Sequence, residues 1–208
     1  SKALPNTLIE IYTDDDQLVF SGKTDENGKI TIERLPQGKY YILEKEAPEG
    51  YKINEEKMYF EIKENGEVVK STMKDEDITG TLEFTKLDFS NDNPLPNTLI
   101  EIYNAETDEL VFSGRTDENG MITIQELKYG KYYILEKEAP EGYEINLDKM
   151  YFEIKEDGEV VKSIMKDHKI VDVPNTEMND YHELIFSGIT LIVAGAGVVI
   201  YGIKKRKK

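Results

Sequence analysis

Along most of the chain, apolar and polar residues alternate in short runs separated by turn signals, the period-2 pattern of half-buried strands. Between residues 79 and 172 this alternation predicts strands near 81–87, 98–103, 109–114, 121–126, 131–138, 149–155 and 159–166. Asn119-Gly120 and Asp157-Gly158 stand between such runs and read as hairpin turns, as do Asn27-Gly28 and Asn65-Gly66 earlier in the chain. Seven short strands in about 90 residues fit an antiparallel sandwich.

The same pattern occurs twice, with a period of 91 to 92 residues. LPNTLIEIY stands at 4–12 and 95–103, GKYYILEKEAPEGY at 38–51 and 130–143, KMYFEIKE at 57–64 and 149–156, and MKD at 73–75 and 165–167. A period this long marks two copies of a whole domain. The expected fold is therefore all-β, with two tandem antiparallel β-sandwich domains at 1–78 and 79–172. Ser1 aligns near Asp92, so the first copy has no counterpart of TLEFTKL at Thr81–Leu87. That domain is expected to lack its first strand and to present an unsatisfied edge or groove.

The pattern changes at Leu184–Ile203, where 20 consecutive residues carry no charge. As a helix at about 1.5 Å per residue they would span about 30 Å, the thickness of a hydrocarbon core. The predicted elements are a polar spacer at 173–183, a transmembrane helix at 184–203 and a basic tail at 204–208, held inside by its positive charge. The acidic bulk then faces outward. An outward-facing protein needs a secretion signal, and this sequence opens with neither one nor an initiator Met, so it is expected to be a fragment.

Charge and composition narrow the function further. The chain holds 26 basic and 42 acidic residues, a formal charge of -16, and all the acids precede residue 184. A surface so acidic repels phosphate backbones, which argues against nucleic acid as a partner. Cysteine is absent, removing disulfides, thiolate metal sites and thiol nucleophiles, and the only histidines are His168 and His182. The DENG segment resembles part of a calcium loop, but its first ligand position is Arg115, or Lys23 in the first copy, where a carboxylate is required. No metal or other cofactor is expected.

Strand alternation singles out three ionisable residues. Lys86 shares a face with Leu82 and Phe84, Glu136 with Tyr132 and Ile134, and Asp167 with Val161 and Met165. Burying such charges unpaired costs several kcal/mol each. Compensation could come from a buried salt bridge, from strand ends that reach solvent, or from chemistry among the three. In the last case a neutral amine attacks a carboxyl group while a protonated glutamic acid polarises the carbonyl, producing an amide and water.

FTKLD at Phe84–Asp88, PLPNTLIEIY downstream and the YYILEKEAPEGY block together resemble the collagen-adhesin B-type (CnaB) domains of Gram-positive adhesins and pilins. The resemblance covers nearly all of residues 4–172. It implies a prealbumin-like, Ig-like sandwich whose first-strand Lys is joined to an Asn or Asp of the last strand, assisted by the Glu of the box. Carried over, the isopeptide partners are Lys86 and Asp167 and the assisting acid is Glu136, the residues that alternation selects. Asp167 stands where many members have Asn, so water rather than ammonia would leave, and Ile134 replaces the box Leu. In the first copy Glu44 and Asp75 match without a Lys partner, and no cross-link is expected there.

VPNTE at Val173, Pro174, Asn175, Thr176 and Glu177, followed by the apolar segment and basic tail, resembles the sorting signal of Gram-positive wall proteins. The resemblance implies cleavage after Thr176 by a sortase and attachment to cell-wall peptidoglycan. Val173 and Glu177 depart from the usual Leu and Gly. The two LPNTL stretches at Leu4–Leu8 and Leu95–Leu99 lack the following span and read as turn-to-strand entries.

The function expected from all this is the stalk of a cell-wall-anchored surface adhesin or pilin-like protein, not an enzyme acting on external substrates. Two alternatives stand beside it: the repeats themselves bind a host or matrix protein, or they tether a surface enzyme lying upstream. The Tyr-Pro-Lys pilin motif is not found, so polymerisation into a shaft has no support in these residues.

Overall fold

The structure is a computed structural model that describes residues 2–171, 189–194 and 197–202. The chain divides into two compact units, Ser1–Ile170 and Val171–Lys208, and the first holds both repeats.

The second repeat contributes seven strands: β5 (Thr79–Asp88), β6 (Leu99–Asn104), β7 (Leu110–Arg115), β8 (Met121–Lys128), β9 (Gly130–Glu138), β10 (Met150–Ile154) and β11 (Val160–Asp167). They lie within two residues of the positions predicted by alternation. One sheet has the order β10-β9-β6-β7 and is antiparallel; the other has the order β11-β5-β8. Leu82, Phe84, Ile100, Ile102, Ile134 and Ile154 are fully buried in the core that these strands supply. Fully burying such side chains contributes about 1.5–3 kcal/mol each. The burial of β5 alternates strictly, with Leu82, Phe84, Lys86 and Asp88 inward.

The expectation of a purely antiparallel sandwich needs correction at one pair. β5 and β11, the first and last strands of the repeat, run parallel, with Lys86 opposite Met165 and Asp88 opposite Asp167. Parallel neighbours cannot be joined by a tight turn, and here the whole intervening domain is the crossover. The turn dipeptides also differ from the hairpin reading. Asn119-Gly120 links β7 to β8 and Asp157-Gly158 links β10 to β11, in each case between sheets. The glycines do take left-handed φ, 70° at Gly120 and 73° at Gly158. The Asp117 carboxylate accepts the N–H groups of Asn119 and Met121, so this is a self-capped turn that needs no paired strands. The LPNTL segments enter their strands through left-handed Asn6 and Asn97.

The first repeat carries β1 (Leu8–Thr13), β2 (Leu18–Lys23), β3 (Gly38–Glu46) and β4 (Met58–Ile62) in one sheet of order β2-β1-β3-β4. More than one strand is missing relative to the second repeat. Segments 29–36 and 67–75, which align with β8 and β11, form no strands. In the second repeat β5 is the centre of its sheet and pairs with both neighbours, whereas the described residues of the first repeat place no strand between the two equivalent segments.

A joint connects the repeats. Tyr129 donates its hydroxyl to Glu49 at 2.5 Å, and its ring packs on Gly50, whose φ is 86°. Around it Lys52 pairs with Asp157 at 3.0 Å and Lys128 with Asp77 at 2.8 Å.

In the second unit, β12 (Ile189–Ala194) and β13 (Gly197–Gly202) pair antiparallel, where the sequence predicts a single helix. Both runs are rich in β-branched residues, which favour strands, and small residues separate them. Among the described residues no helix is long and apolar enough to cross a membrane.

Gly120 sits where a Cβ would lie 2.5 Å from the Lys86 carbonyl oxygen, and its φ is left-handed. Gly120→Ala is therefore expected to destabilise the second repeat by about 2 kcal/mol or more, read as a lowered denaturant midpoint at unchanged slope.

Candidate functional site

Pleat parity puts three ionisable groups into one apolar core. Lys86 points inward from β5 because it continues the Leu82–Phe84 row. Asp167 points inward from the adjacent β11 because it continues the Met165 row. Glu136 enters from β9 in the facing sheet, two residues beyond Ile134. Their residues are 0%, 1% and 2% exposed, so all three lie out of water's reach.

Lys86 Nζ contacts both acids: it lies 3.0 Å from Glu136 Oε2 and donates a very short bond to Asp167 Oδ1. The contact joins positions 81 residues apart. Glu136 Oε2 also accepts the backbone N–H of Asn146 at 2.7 Å. The second oxygen of each acid, Glu136 Oε1 and Asp167 Oδ2, is buried with no hydrogen-bond partner. An unpartnered buried carboxylate oxygen is costly. Burial accordingly pushes the Glu136 carboxyl above its ordinary range, against the opposing pull of the Asn146 N–H and Lys86. The arrangement can therefore hold a proton on Glu136 beside an amine and a second carboxyl group.

A third buried acid of this repeat, Asp88, is one that sequence reasoning missed. Its carboxylate accepts the N–H and hydroxyl of Ser90, accepts the Tyr143 hydroxyl at 2.8 Å and pairs with Lys169 at 3.2 Å. The Ser90 bonds and these partners hold it well below the usual carboxylate range. The Phe89 ring packs at a tilt against His168, and Phe89 N–H donates to the Asp167 carbonyl. Together these contacts tie the APEGY loop and the chain leaving β11 to the end of β5. Alternation carries the signal for Asp88, since it is the next inward position after Lys86; nothing in the pattern distinguishes Asn146.

In the first repeat Glu44 and Asp75 come near each other without a cation. Glu44 is 2% exposed; its Oε2 accepts Asn54 N–H at 2.6 Å and its Oε1 has no partner. Burial raises both carboxyls above their ordinary range, and the neighbouring Asp75 raises Glu44 further. The sorting-signal residues Val173, Pro174, Asn175, Thr176 and Glu177 lie outside the described residues. Among the described residues no cluster of acids and histidines could hold a metal ion.

The two-sheet arrangement is of the prealbumin-like kind. The sequence matches the SpaA prealbumin-like fold domain twice, over residues 1–77 and 80–169, and the chain belongs to that family. No curated protein matches the sequence. Among solved structures it resembles the Bacillus anthracis TIE protein, at 47% identity and a TM-score of 0.73, over 80% of this chain and 31% of that one. The chain thus spans less than a third of that relative. It also resembles the C-terminal fragment of pilus adhesin SpaC from Lactobacillus rhamnosus GG, at 14% identity and a TM-score of 0.54, over 81% and 91% of the two chains; this likeness concerns the fold alone.

A carboxyl whose folded-state pKa is raised stabilises the fold below its unfolded pKa and loses that contribution as pH rises through the folded value. Glu44→Gln, which keeps an acceptor for Asn54 N–H, is therefore expected to raise the first repeat's melting temperature at about pH 7.5 and leave it unchanged near pH 4. Thermal melts at the two pH values measure this.

Proposed function

We propose that the second repeat closes a permanent Lys86–Asp167 isopeptide bond, and that the two repeats, as domains 1–78 and 79–172, form the stalk of a wall-anchored surface protein. The observation that carries this reading is the complete burial of Lys86 in contact with both Asp167 and Glu136. A plain structural ion pair needs no third ionisable group and leaves no unpartnered acid oxygens.

The chemistry follows from the geometry. The neutral amine of Lys86 adds to the Asp167 carboxyl carbon while Glu136, protonated, donates to the carbonyl oxygen. Glu136 then takes a proton from the nitrogen, returns it to the departing hydroxyl, and recovers from the carbonyl oxygen the proton it first placed there. One C–N bond forms, one C–O bond breaks, water leaves, and Glu136 ends as it began. Exclusion of solvent favours the protonated form of Glu136 and removes competing water.

By analogy with a disulfide closing a loop of this size, the bond would stabilise by about 4–5 kcal/mol. The mechanical effect is larger. A pull arriving from 173–177 meets Asp167 six residues earlier, crosses to Lys86 and leaves along β5 toward the first repeat. The strands between carry almost no tension, so the domain resists forced unfolding.

Anchoring is read from VPNTE, the 20 uncharged residues and the basic tail. In lipid a two-stranded hairpin leaves edge N–H and C=O groups unpaired, so the same segment is expected to become helical there and to hold the chain until a sortase acts at Thr176. Peptidoglycan is then the covalent partner.

Intact mass should fall short of the calculated value by one water. Lys86→Ala or Glu136→Gln should restore the full mass and lower stability by about 4–5 kcal/mol; a full mass in the parent chain overturns the cross-link. Thr176→Ala expressed in a Gram-positive host should shift the protein from the wall fraction to the membrane fraction, and unchanged wall attachment would refute sorting at VPNTE.

A further inference from the structure

The four-stranded sheet of the first repeat ends at β4, which among the described residues pairs only with β3. Its outer edge therefore presents a row of unpaired N–H and C=O groups. Side chains alternate cleanly along it. Lys57, Tyr59, Glu61 and Lys63 are exposed on one face, while Met58, Phe60 and Ile62 are half-buried on the other. With Glu55 the exposed row reads Glu-Lys-Tyr-Glu-Lys at every second residue, and this row is its own complement. Laid antiparallel against itself with Tyr59 at the centre, it sets Lys57 opposite Glu61 and Glu55 opposite Lys63. Tyr59 is also the open end of a ladder of rings: Tyr12 lies 5.1 Å from Tyr41, and Tyr41 lies 5.6 Å from Tyr59. The Tyr12 and Tyr41 hydroxyls bond to Glu10 and Asp16, whereas Tyr59 is 64% exposed.

We propose that β4 is a self-association edge, at which two copies of the chain pair antiparallel about a two-fold axis through Tyr59. Pairing joins two four-stranded sheets into one continuous sheet and satisfies the edge groups of both copies at once. Because the contact is isologous, each charge pair occurs twice. Opposite charges directly across an antiparallel pair favour it, and like charges oppose it. Lys57 is already held at the edge, 4.0 Å over the Tyr41 ring and 3.4 Å from Asp16. On the other face, Met58 of one copy falls opposite Phe60 of the other, which completes the cover of two half-buried side chains. The two tyrosine ladders meet at the axis and become one.

The second repeat carries the same edge in β10, with Lys149, Tyr151, Glu153 and Lys155, but Leu147 stands at the position of Glu55. Self-pairing there keeps Lys149 opposite Glu153 and leaves Lys155 facing a leucine, so β4 is the better match. Each copy has a formal charge of -16, and the attraction must therefore be local. At about 0.15 M salt, charges farther apart than about 8 Å are largely screened, which removes most of the overall repulsion.

The chain has no cysteine, so a single introduced thiol reports the contact. Tyr59→Cys places it on the axis, where directly opposed Cβ atoms lie about 4.5–5.5 Å apart, close enough for a disulfide after a small shift. Ser21→Cys, on β2 at the far edge of the same sheet, is the control. In the full chain under mild oxidation, Tyr59→Cys is expected to form a disulfide dimer at least about tenfold faster than Ser21→Cys, read on a non-reducing gel. Adding Lys57→Glu or Glu61→Lys should slow this by about tenfold or more, because like charges then face each other twice. Mixing those two variants should restore a mixed dimer, since each meets its opposite charge in the other copy; a variant that merely failed to fold would not be rescued in this way. Equal rates for Tyr59→Cys and Ser21→Cys overturn the proposal, as does a rate that ignores the charge reversals. Fast dimer formation by Tyr151→Cys with none by Tyr59→Cys places the contact at β10 and overturns the assignment to β4. The stalk reading does not rest on this contact and stands in either case.

Discussion

A lysine amine held in an apolar core between acids from two sheets is the constraint around which the second repeat is organised. Lys86 has no access to water, so its two contacts, Glu136 and Asp167, must come from the fold itself. That requires β5, β9 and β11 to be in register to within a fraction of an ångström across the sandwich. The Gly120 turn lies directly against the Lys86 backbone, and Lys86 N–H donates to the Gly120 carbonyl. The Asp88 cluster ties the far end, where Tyr143 and Lys169 converge on one buried carboxylate. Site and scaffold are thus the same set of contacts, and each polar group at the centre is sheltered by the aliphatic rows on either side of it.

The two repeats show how much depends on a single central strand. They share the box, the turns and the four-stranded sheet, with burial in β1 and β6 matching position by position. Yet the described residues of the first repeat form one sheet, and its acids, Glu44 and Asp75, face each other. Sheet pairing is cooperative in this sense: a centre strand satisfies two neighbours at once, and losing it releases both.

Much of this was legible from residue order. Period-2 alternation placed all seven strands of the second repeat and selected Lys86, Glu136 and Asp167, because parity decides which face a side chain takes regardless of partner strand. What parity does not carry is which strands become neighbours. The β5–β11 pairing joins residues about 80 positions apart, and no local signal encodes its parallel sense. Asn119-Gly120 and Asp157-Gly158 read as hairpins because their local chemistry is the same whether the chain returns to its own sheet or crosses to the other. At Ile189–Gly202 hydropathy and β-branching point in opposite directions, and hydropathy alone predicted the helix.

The joint between repeats is built from one loop and one socket. The loop, Glu49–Gly50, recurs in the second repeat as Glu141–Gly142, but the socket does not recur: Lys128, Tyr129 and Asp157 correspond to Pro36, Gln37 and Asn65. The two modules are therefore not interchangeable. The first can seat its loop on the second, whereas the first lacks the aromatic platform and charges to receive a loop of the same type, which gives the pair a built-in head and tail.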